Sequence, residues 1–202
     1  MKLYYAPGVC SLSPHIVLEE AGLKHDLVKT DIRAKTTEGG GDYKKVNPLG
    51  YVPALELDDG TLLTEGPAIV QYIADKVPDK KLGPAAGTTD RYRMLSLLNF
   101  ISSELHKGFS PLFNPNLTDD AKKIFRERLL TRLEHADKLL AGRDYLLGSA
   151  FSLPDAYLFT VLRWTVPLKI DLAPYANLQA FMKRMSERPA VQRAMRAEGL
   201  IT

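Results

Sequence analysis

Met1-Lys2-Leu3-Tyr4-Tyr5-Ala6-Pro7-Gly8-Val9-Cys10-Ser11-Leu12-Ser13-Pro14 passes from a strand-like run, through the turn pair Pro7-Gly8, into a helix that Gly22 ends. The single cysteine of the chain, Cys10, falls at that junction. Ser11 and Ser13 are N-cap candidates, and Pro14 is compatible with a first helical turn, where backbone N–H groups lack partners. Those N–H groups and the helix dipole stabilise negative charge. A thiol there is expected to ionise more readily than a free one, and the thiolate is the reactive form. A lone cysteine is otherwise a small buried hydrophobe, and the residues alone leave both readings open. With no second cysteine, an internal disulfide and a Cys-x-x-Cys couple are excluded, so any redox cycle needs an external thiol.

A length of 202 residues suits one large domain or two small ones. Apolar residues make up 45% and charged residues 25%, with no long run of one sign, which describes a folded chain with a real core. The net charge of +3 is modest, and Lys and Arg are interleaved with Asp and Glu. A nucleic-acid surface needs clustered basic residues, so no nucleic-acid partner is expected. No segment approaches the roughly 20 apolar residues of a membrane span, and no signal-peptide pattern opens the chain. The expectation is a soluble cytoplasmic protein with no membrane partner.

Residues 1–80 alternate strand and helix signals. His25 to Ile32 reads as a second strand. Lys35 to Gly41, with Gly39-Gly40-Gly41, reads as a mobile loop, and Tyr43 to Val46 as one helical turn ended by Asn47-Pro48. Asp58-Asp59-Gly60 between Val52–Leu57 and Thr61–Leu63 is a hairpin signal. Thr64-Glu65-Gly66-Pro67 opens a helix over Ala68 to Lys76, with Ile69, Tyr72 and Ile73 on one face. The order β-α-β-(α)-β-β-α suits a mixed sheet flanked by helices. Residues 81–87 read as a linker. Beyond it the strand signals largely vanish, and helices are expected over Arg91–Leu112, Asp119–Leu140, from Ser152 onward, Leu178–Arg188 and Ala190–Glu198. The predicted organisation is therefore a domain over 1–80 and an all-helical one over 88–202.

Leu98, Ile101, Leu105 and Phe109 form a core stripe, and Asn99, Ser103, His106 and Ser110 a separate polar one. Short neutral polar groups with a histidine suit either a cleft wall or a solvated face. A histidine beside a thiolate can hold its proton, which makes His106 a candidate partner for Cys10. His15, His25 and His135 read as incidental. No Cys/His or His/carboxylate cluster has zinc spacing, and no phosphate-binding glycine loop occurs. In Val52-Pro53 the proline removes a ladder donor. It is either an ordinary strand-start proline or a cis bond that turns the Val52 backbone toward an extended ligand. Glu65-Gly66-Pro67 sets a carboxylate at a helix start, either as a capping acid or as a receptor for an ammonium group beside a carboxylate-binding helix end. Ser152-x-x-Asp155 is a capping-box pattern assigned to folding. Trp164 is a core residue or a cleft border.

These residues together resemble a cytosolic glutathione transferase, most closely the bacterial beta class. The likeness rests on Tyr5, Pro7-Gly8-x-Cys10-Ser11, Asn47-Pro48-x-Gly50-x-Val52-Pro53-Ala54-Leu55, Leu63-Thr64-Glu65-Gly66-Pro67-Ala68-Ile69, Asn99 to Lys107, and Ser152 to Asp155. It implies a thioredoxin-like N-terminal domain, an all-helical C-terminal domain and a homodimer. It implies that Val52 presents its backbone to the cysteinyl part of glutathione with Pro53 cis, that Glu65 and Gly66 hold the γ-glutamyl end, and that Lys35 reaches the glycyl carboxylate. Cys10 would meet the glutathione sulfur. Asn99, Ser103, His106 and Lys107 would line the site, with Glu104 reaching the neighbouring subunit's ligand. Tyr5 and Ser11 match residues that stabilise the thiolate in other classes, and Gly66 stands where many classes have serine. Tyr5, Pro53, Ser110 and Trp164 would border a second-substrate pocket. The implied chemistry is metal-free transfer of the glutathione thiolate to a small halogenated or aromatic electrophile. A glutathione-dependent thiol-disulfide reductase or dehalogenating redox enzyme using Cys10, and a non-catalytic binding protein, are the alternatives.

Overall fold

Leu3, Tyr4 and Tyr5 are buried in the central strand of a five-stranded sheet in this computed structural model, which describes all residues 1–202. A strand buried along its length needs an apolar run, and Leu3-Tyr4-Tyr5-Ala6 supplies it. The strands are β1 (Lys2–Tyr5), β2 (Asp26–Asp31), β3 (Thr36–Thr37), β4 (Ala54–Glu56) and β5 (Leu62–Thr64), in the order β3-β2-β1-β4-β5. β1 runs parallel to β2 through helix α1 (Leu12–Ala21) and antiparallel to β4, which pairs antiparallel with β5. Gly60 turns that hairpin at φ +83°, a conformation that favours glycine. Helix α2 (Gly66–Lys76) follows. This is the thioredoxin-like mixed sheet expected.

The Lys35–Gly41 stretch differs from a free loop. Asp31 Oδ1 accepts the N–H groups of Arg33 and Ala34, and Lys35 turns the chain at φ +59°. Thr36 and Thr37 then pair back on Asp31 and Thr30 as β3. Nor do Ser11 and Ser13 cap α1. The Ser11 hydroxyl donates to the Ala6 carbonyl and accepts the Ala6 N–H, both at 3.1 Å, tying the turn to the end of β1. Ser13 Oγ is buried without a hydrogen-bond partner.

The chain divides into two compact units, Met1–Leu82 with Arg188–Thr202, and Gly83–Glu187. Sequence patterning grouped everything after residue 88 together. The last helix, α8 (Pro189–Ala197), instead packs on α1. Charged pairs tie it there. Arg188 Nε meets Glu20 Oε1 at 2.7 Å and Arg193 Nε meets Glu19 Oε2 at 2.6 Å. Such pairing between distant segments leaves no periodic signal.

The second unit holds α3 (Thr89–Phe100), α4 (Lys107–Phe109), α5 (Asp119–Leu139), α6 (Leu153–Leu162) and α7 (Ala176–Ser186). The single helix expected over Arg91–Leu112 is α3, a π-helical stretch over Ile101–His106, α4, and a 3-10 turn over Ser110–Phe113. Its predicted core stripe is buried at all four positions. Thr88 and Thr118 cap α3 and α5 through their hydroxyls. α6 is buried throughout. A helix in that position must satisfy its first N–H groups internally, and Asp155 does so. Its carboxylate accepts from the Ser152 N–H and hydroxyl and from the Leu146 N–H, at 2.7–2.8 Å. Asp155→Ala would orphan these buried donors and lower stability by about 3 kcal/mol. Ser152→Ala should cost only ~1 kcal/mol. Chemical denaturation of the two variants checks both.

Candidate functional site

In the sheet unit, the segment between β3 and β4 is pinned before it reaches Val52. The carbonyl of Tyr51 accepts from the buried Tyr43 hydroxyl and from Asn47 Nδ2, each at 2.8 Å. Tyr43 is fully buried, and burial pushes its hydroxyl up to about 12, so it stays a donor. Val52 packs with Tyr4, Ala6, Tyr43 and Ala54. The Val52-Pro53 bond is cis. The Val52 N–H makes no backbone hydrogen bond. The Val52 carbonyl lies 3.1 Å from Cys10 Sγ, which donates to it. An edge of unpaired backbone beside the only thiol is what an extended peptide would need in order to add to the sheet.

Cys10 itself sits at the mouth of α1, half-buried. Its loop is held from both sides. Ser11 ties it to Ala6, and Glu198 Oε2 accepts the Gly8 N–H at 2.8 Å. The same carboxylate takes His15 Nδ1 at 2.9 Å through Oε1. Tyr5 is buried, and burial, with Glu198 and Glu38 nearby, raises its hydroxyl above the ordinary tyrosine value. A tyrosine so placed is a poorer source of a proton.

Around the same edge, Lys35 Nζ donates to the Gly50 carbonyl at 2.9 Å and lies 5.3 Å from the centre of the Tyr51 ring. Gly50 has φ +63°, and a Cβ there would meet Lys35 Cδ at 2.8 Å. Gly50 is therefore a positioning residue that sequence patterning quoted but gave no role. The signal was its place two residues before Val52. Glu65 adopts φ +65°, rare for a residue with a side chain, immediately before α2. Its carbonyl accepts the N–H groups of Ala68 and Ile69, and Pro67 has none to offer. The Gly66 N–H is left as the open donor of the helix end. A Cβ at Gly66 would meet only Pro53 Cγ, at 3.9 Å, so the space for a serine exists there.

In the helical unit, Ser103, Glu104 and His106 fall in the π-helical stretch, between Asn99 at the end of α3 and Lys107 at the start of α4. Such insertions recur at functional sites. Asn99, Ser103, Lys107 and Ser110 are exposed, and the Ser103 and Ser110 hydroxyls donate back to the Asn99 and His106 carbonyls, each at 2.9 Å. Glu104, expected to reach a neighbouring subunit's ligand, is held inside its own unit by Arg132 Nε at 2.6 Å. Arg132 and Arg128 keep its carboxyl below the usual range. His106 Nδ1 is 2.7 Å from the Tyr157 hydroxyl, and its ring packs edge-on to Tyr157 and Trp164. Burial, with some help from Lys107, drops His106 to about 4, so it is neutral at pH 7. Trp164 lies in the 3-10 turn after α6 and also meets Phe109 and Phe113, making one aromatic cluster. Tyr157 is the partner that sequence patterning missed, because nothing local links it to a residue 51 positions away.

The N-terminal domain model of the glutathione S-transferases matches residues 9–76, and their C-terminal domain model matches residues 100–189. The chain is 50% identical to glutathione S-transferase GstA of Escherichia coli O157:H7, covering 99% of this chain and all of that one. Among solved structures, the ternary complex of BphK, a bacterial glutathione transferase, superposes with a TM-score of 0.97 at 58% identity, covering 99% of this chain and 100% of that one. A sphingomonad glutathione S-transferase complexed with glutathione gives 0.96 at 50%, covering both chains fully. The beta-class enzyme of Sphingomonas chungbukensis gives 0.96 at 47%, again over both full chains. With the sheet, the cis Val52-Pro53 edge and the lone Cys10 in place, the chain belongs to the glutathione S-transferase family, within its bacterial beta class.

Proposed function

We propose that this transferase, whose co-substrate is glutathione, attaches the glutathione thiolate to small halogenated or aromatic electrophiles: RX + glutathione → HX + R-S-glutathione. The observation that carries the reading is the Val52 edge, with its unpaired N–H, its carbonyl 3.1 Å from the only thiol, and its cis link to Pro53. Glutathione lies extended along this edge. Its γ-glutamyl ammonium meets Glu65 and its γ-glutamyl carboxylate meets the Gly66 N–H at the head of α2. Lys35 takes the glycyl carboxylate. The sulfur then faces Cys10, whose S–H donates to it and lowers the cost of the thiolate. The thiolate attacks carbon, the carbon–halogen bond breaks, and halide leaves with the electron pair.

In the helical unit, the Trp164 and Phe113 rings, backed by the buried Phe109, offer an apolar face for an aromatic substrate. Neutral His106 adds a hydrogen-bonding nitrogen without a competing positive charge. The resemblance further supports a cytoplasmic homodimer used in the removal of foreign compounds. A second reading draws on the Cys10–Val52 contact. In it the Cys10 thiolate attacks a mixed disulfide, expels one thiolate, and glutathione resolves the new bond.

Calorimetry with glutathione on the full protein, and an aryl-chloride conjugation assay, test the proposal directly. Absence of glutathione binding would overturn it. Cys10→Ala should lower conjugation about 10-fold, the worth of one hydrogen bond of ~1.4 kcal/mol, and abolish disulfide reduction. An unchanged conjugation rate assigns Cys10 to disulfide chemistry alone. Glu65→Gln should raise KM for glutathione roughly 10- to 100-fold with kcat little altered.

His106 also sets a pH dependence. Its value is near 4 folded and 6.5 unfolded, so its contribution to stability is complete above about pH 6.5 and is lost as pH falls toward 4. The full loss is about 3 kcal/mol. His106→Gln should flatten that limb in thermal unfolding measured from pH 7 to pH 4.

A further inference from the structure

His15 and Glu19 are four residues apart, so they share one face of α1 on successive turns. After Gly22 ends the helix in the left-handed conformation, the chain doubles back and brings His25 beside them. The His15 and His25 rings meet edge-on at 5.6 Å between centres, and His25 Nε2 lies 3.8 Å from Glu19 Oε1. One ligand atom from each of His15, Glu19 and His25 falls within 4.8 Å of the others.

Each member is also oriented from behind. His15 Nδ1 is held by the buried Glu198 carboxylate at 2.9 Å. That carboxylate accepts, which puts the imidazole proton on Nδ1 and leaves a lone pair on Nε2. His15 Nε2 is fully buried and has no hydrogen-bond partner. Buried polar atoms are paired in the great majority of cases, so this one requires an account. His25 Nδ1 is held by the Leu23 carbonyl at 2.8 Å, which likewise frees its Nε2. Arg193 fixes one oxygen of Glu19 at 2.6 Å and leaves the other beside His25. A carboxylate or carbonyl behind each ligating imidazole is the arrangement found around protein-bound metals.

We propose that His15 Nε2, His25 Nε2 and Glu19 Oε1 form a binding site for a divalent transition-metal ion of the zinc type. Two imidazoles and a carboxylate suit zinc or cobalt better than magnesium or calcium, which require mostly oxygen ligands. Ligands bound at about 2.1 Å in a tetrahedron lie ~3.4 Å apart, so the ion draws the three atoms together by about 1 Å. The fourth position is left to water. Glu19 and His25 side chains are 22% and 10% exposed, which gives the ion a path from solvent to the buried His15. The site bridges α1 and the Leu23–His25 return, with Glu198 and Arg193 behind it from the C-terminal segment. Its place in the chain carries no zinc spacing, because a histidine and a glutamate one helical turn apart join a histidine that only the Gly22 turn returns to them. None of its three ligating side chains takes part in the transfer step proposed above, although Glu198, behind His15, also holds the turn that carries Cys10.

Untagged full-length protein, stripped with chelator, is titrated with Co2+ and then with Zn2+. One Co2+ per chain with a tetrahedral visible spectrum, displaced by Zn2+, supports the site. His25→Ala and Glu19→Gln should each weaken binding by at least about 10-fold, and Cys10→Ser should leave it intact. In zinc-soaked crystals of the unaltered protein, anomalous density should fall among the three side chains. Failure of the unaltered protein to bind stoichiometrically overturns the proposal. So does binding that survives in both variants, binding lost in Cys10→Ser but kept in His25→Ala, or density elsewhere.

Discussion

The carboxylate of Glu198 is the constraint on which the rest of the sheet unit depends. It is fully buried, and its two oxygens accept from the Gly8 N–H and from His15. Those partners lie on either side of Cys10, so one buried group fixes both ends of the turn that carries the thiol. A buried carboxylate is tolerated only when its oxygens are hydrogen-bonded. Here the bonds also supply geometry. Ser11 closes the same turn against Ala6, and the thiol is left aimed at the Val52 carbonyl.

A second device of the same kind holds the other side of the groove. The Tyr51 carbonyl is doubly occupied, by Tyr43 and Asn47, and so cannot drift. The adjacent Val52 peptide inherits that rigidity while keeping its own N–H open. Glu65 shows the complementary choice, with its backbone held where a side chain is disfavoured. Fixing polar groups in advance removes an ordering cost from the moment of binding, whatever extended ligand the edge receives.

Much of this was legible beforehand. The strand–turn–helix around Cys10, the Asp58-Asp59-Gly60 hairpin and the Ser152/Asp155 cap are local patterns, and local patterns survive translation into structure. The core stripe Leu98, Ile101, Leu105 and Phe109 was legible for the same reason. What escaped notice depends on partners that no periodic pattern pairs, most of them distant in sequence. Ser11 looks like a cap until Ala6 is found opposite it. Glu104 carries no local sign of Arg132, which arrives from α5. His15 and His25 look incidental until the Gly22 turn and Glu198 bring them together. The π-helical stretch was invisible because its residues match an ordinary helical period closely enough.

The placement of α8 on α1 has a consequence for biosynthesis. Chains emerge from the ribosome N-terminus first, and domains ordinarily fold in that order. Here His15 acquires its buried counterpart only after the segment carrying Glu198 has emerged, so the sheet unit is assembled from two stretches separated by the helical unit. The helical unit, continuous from Gly83 to Glu187, has its whole sequence outside before that segment, so it can complete its fold ahead of the sheet unit.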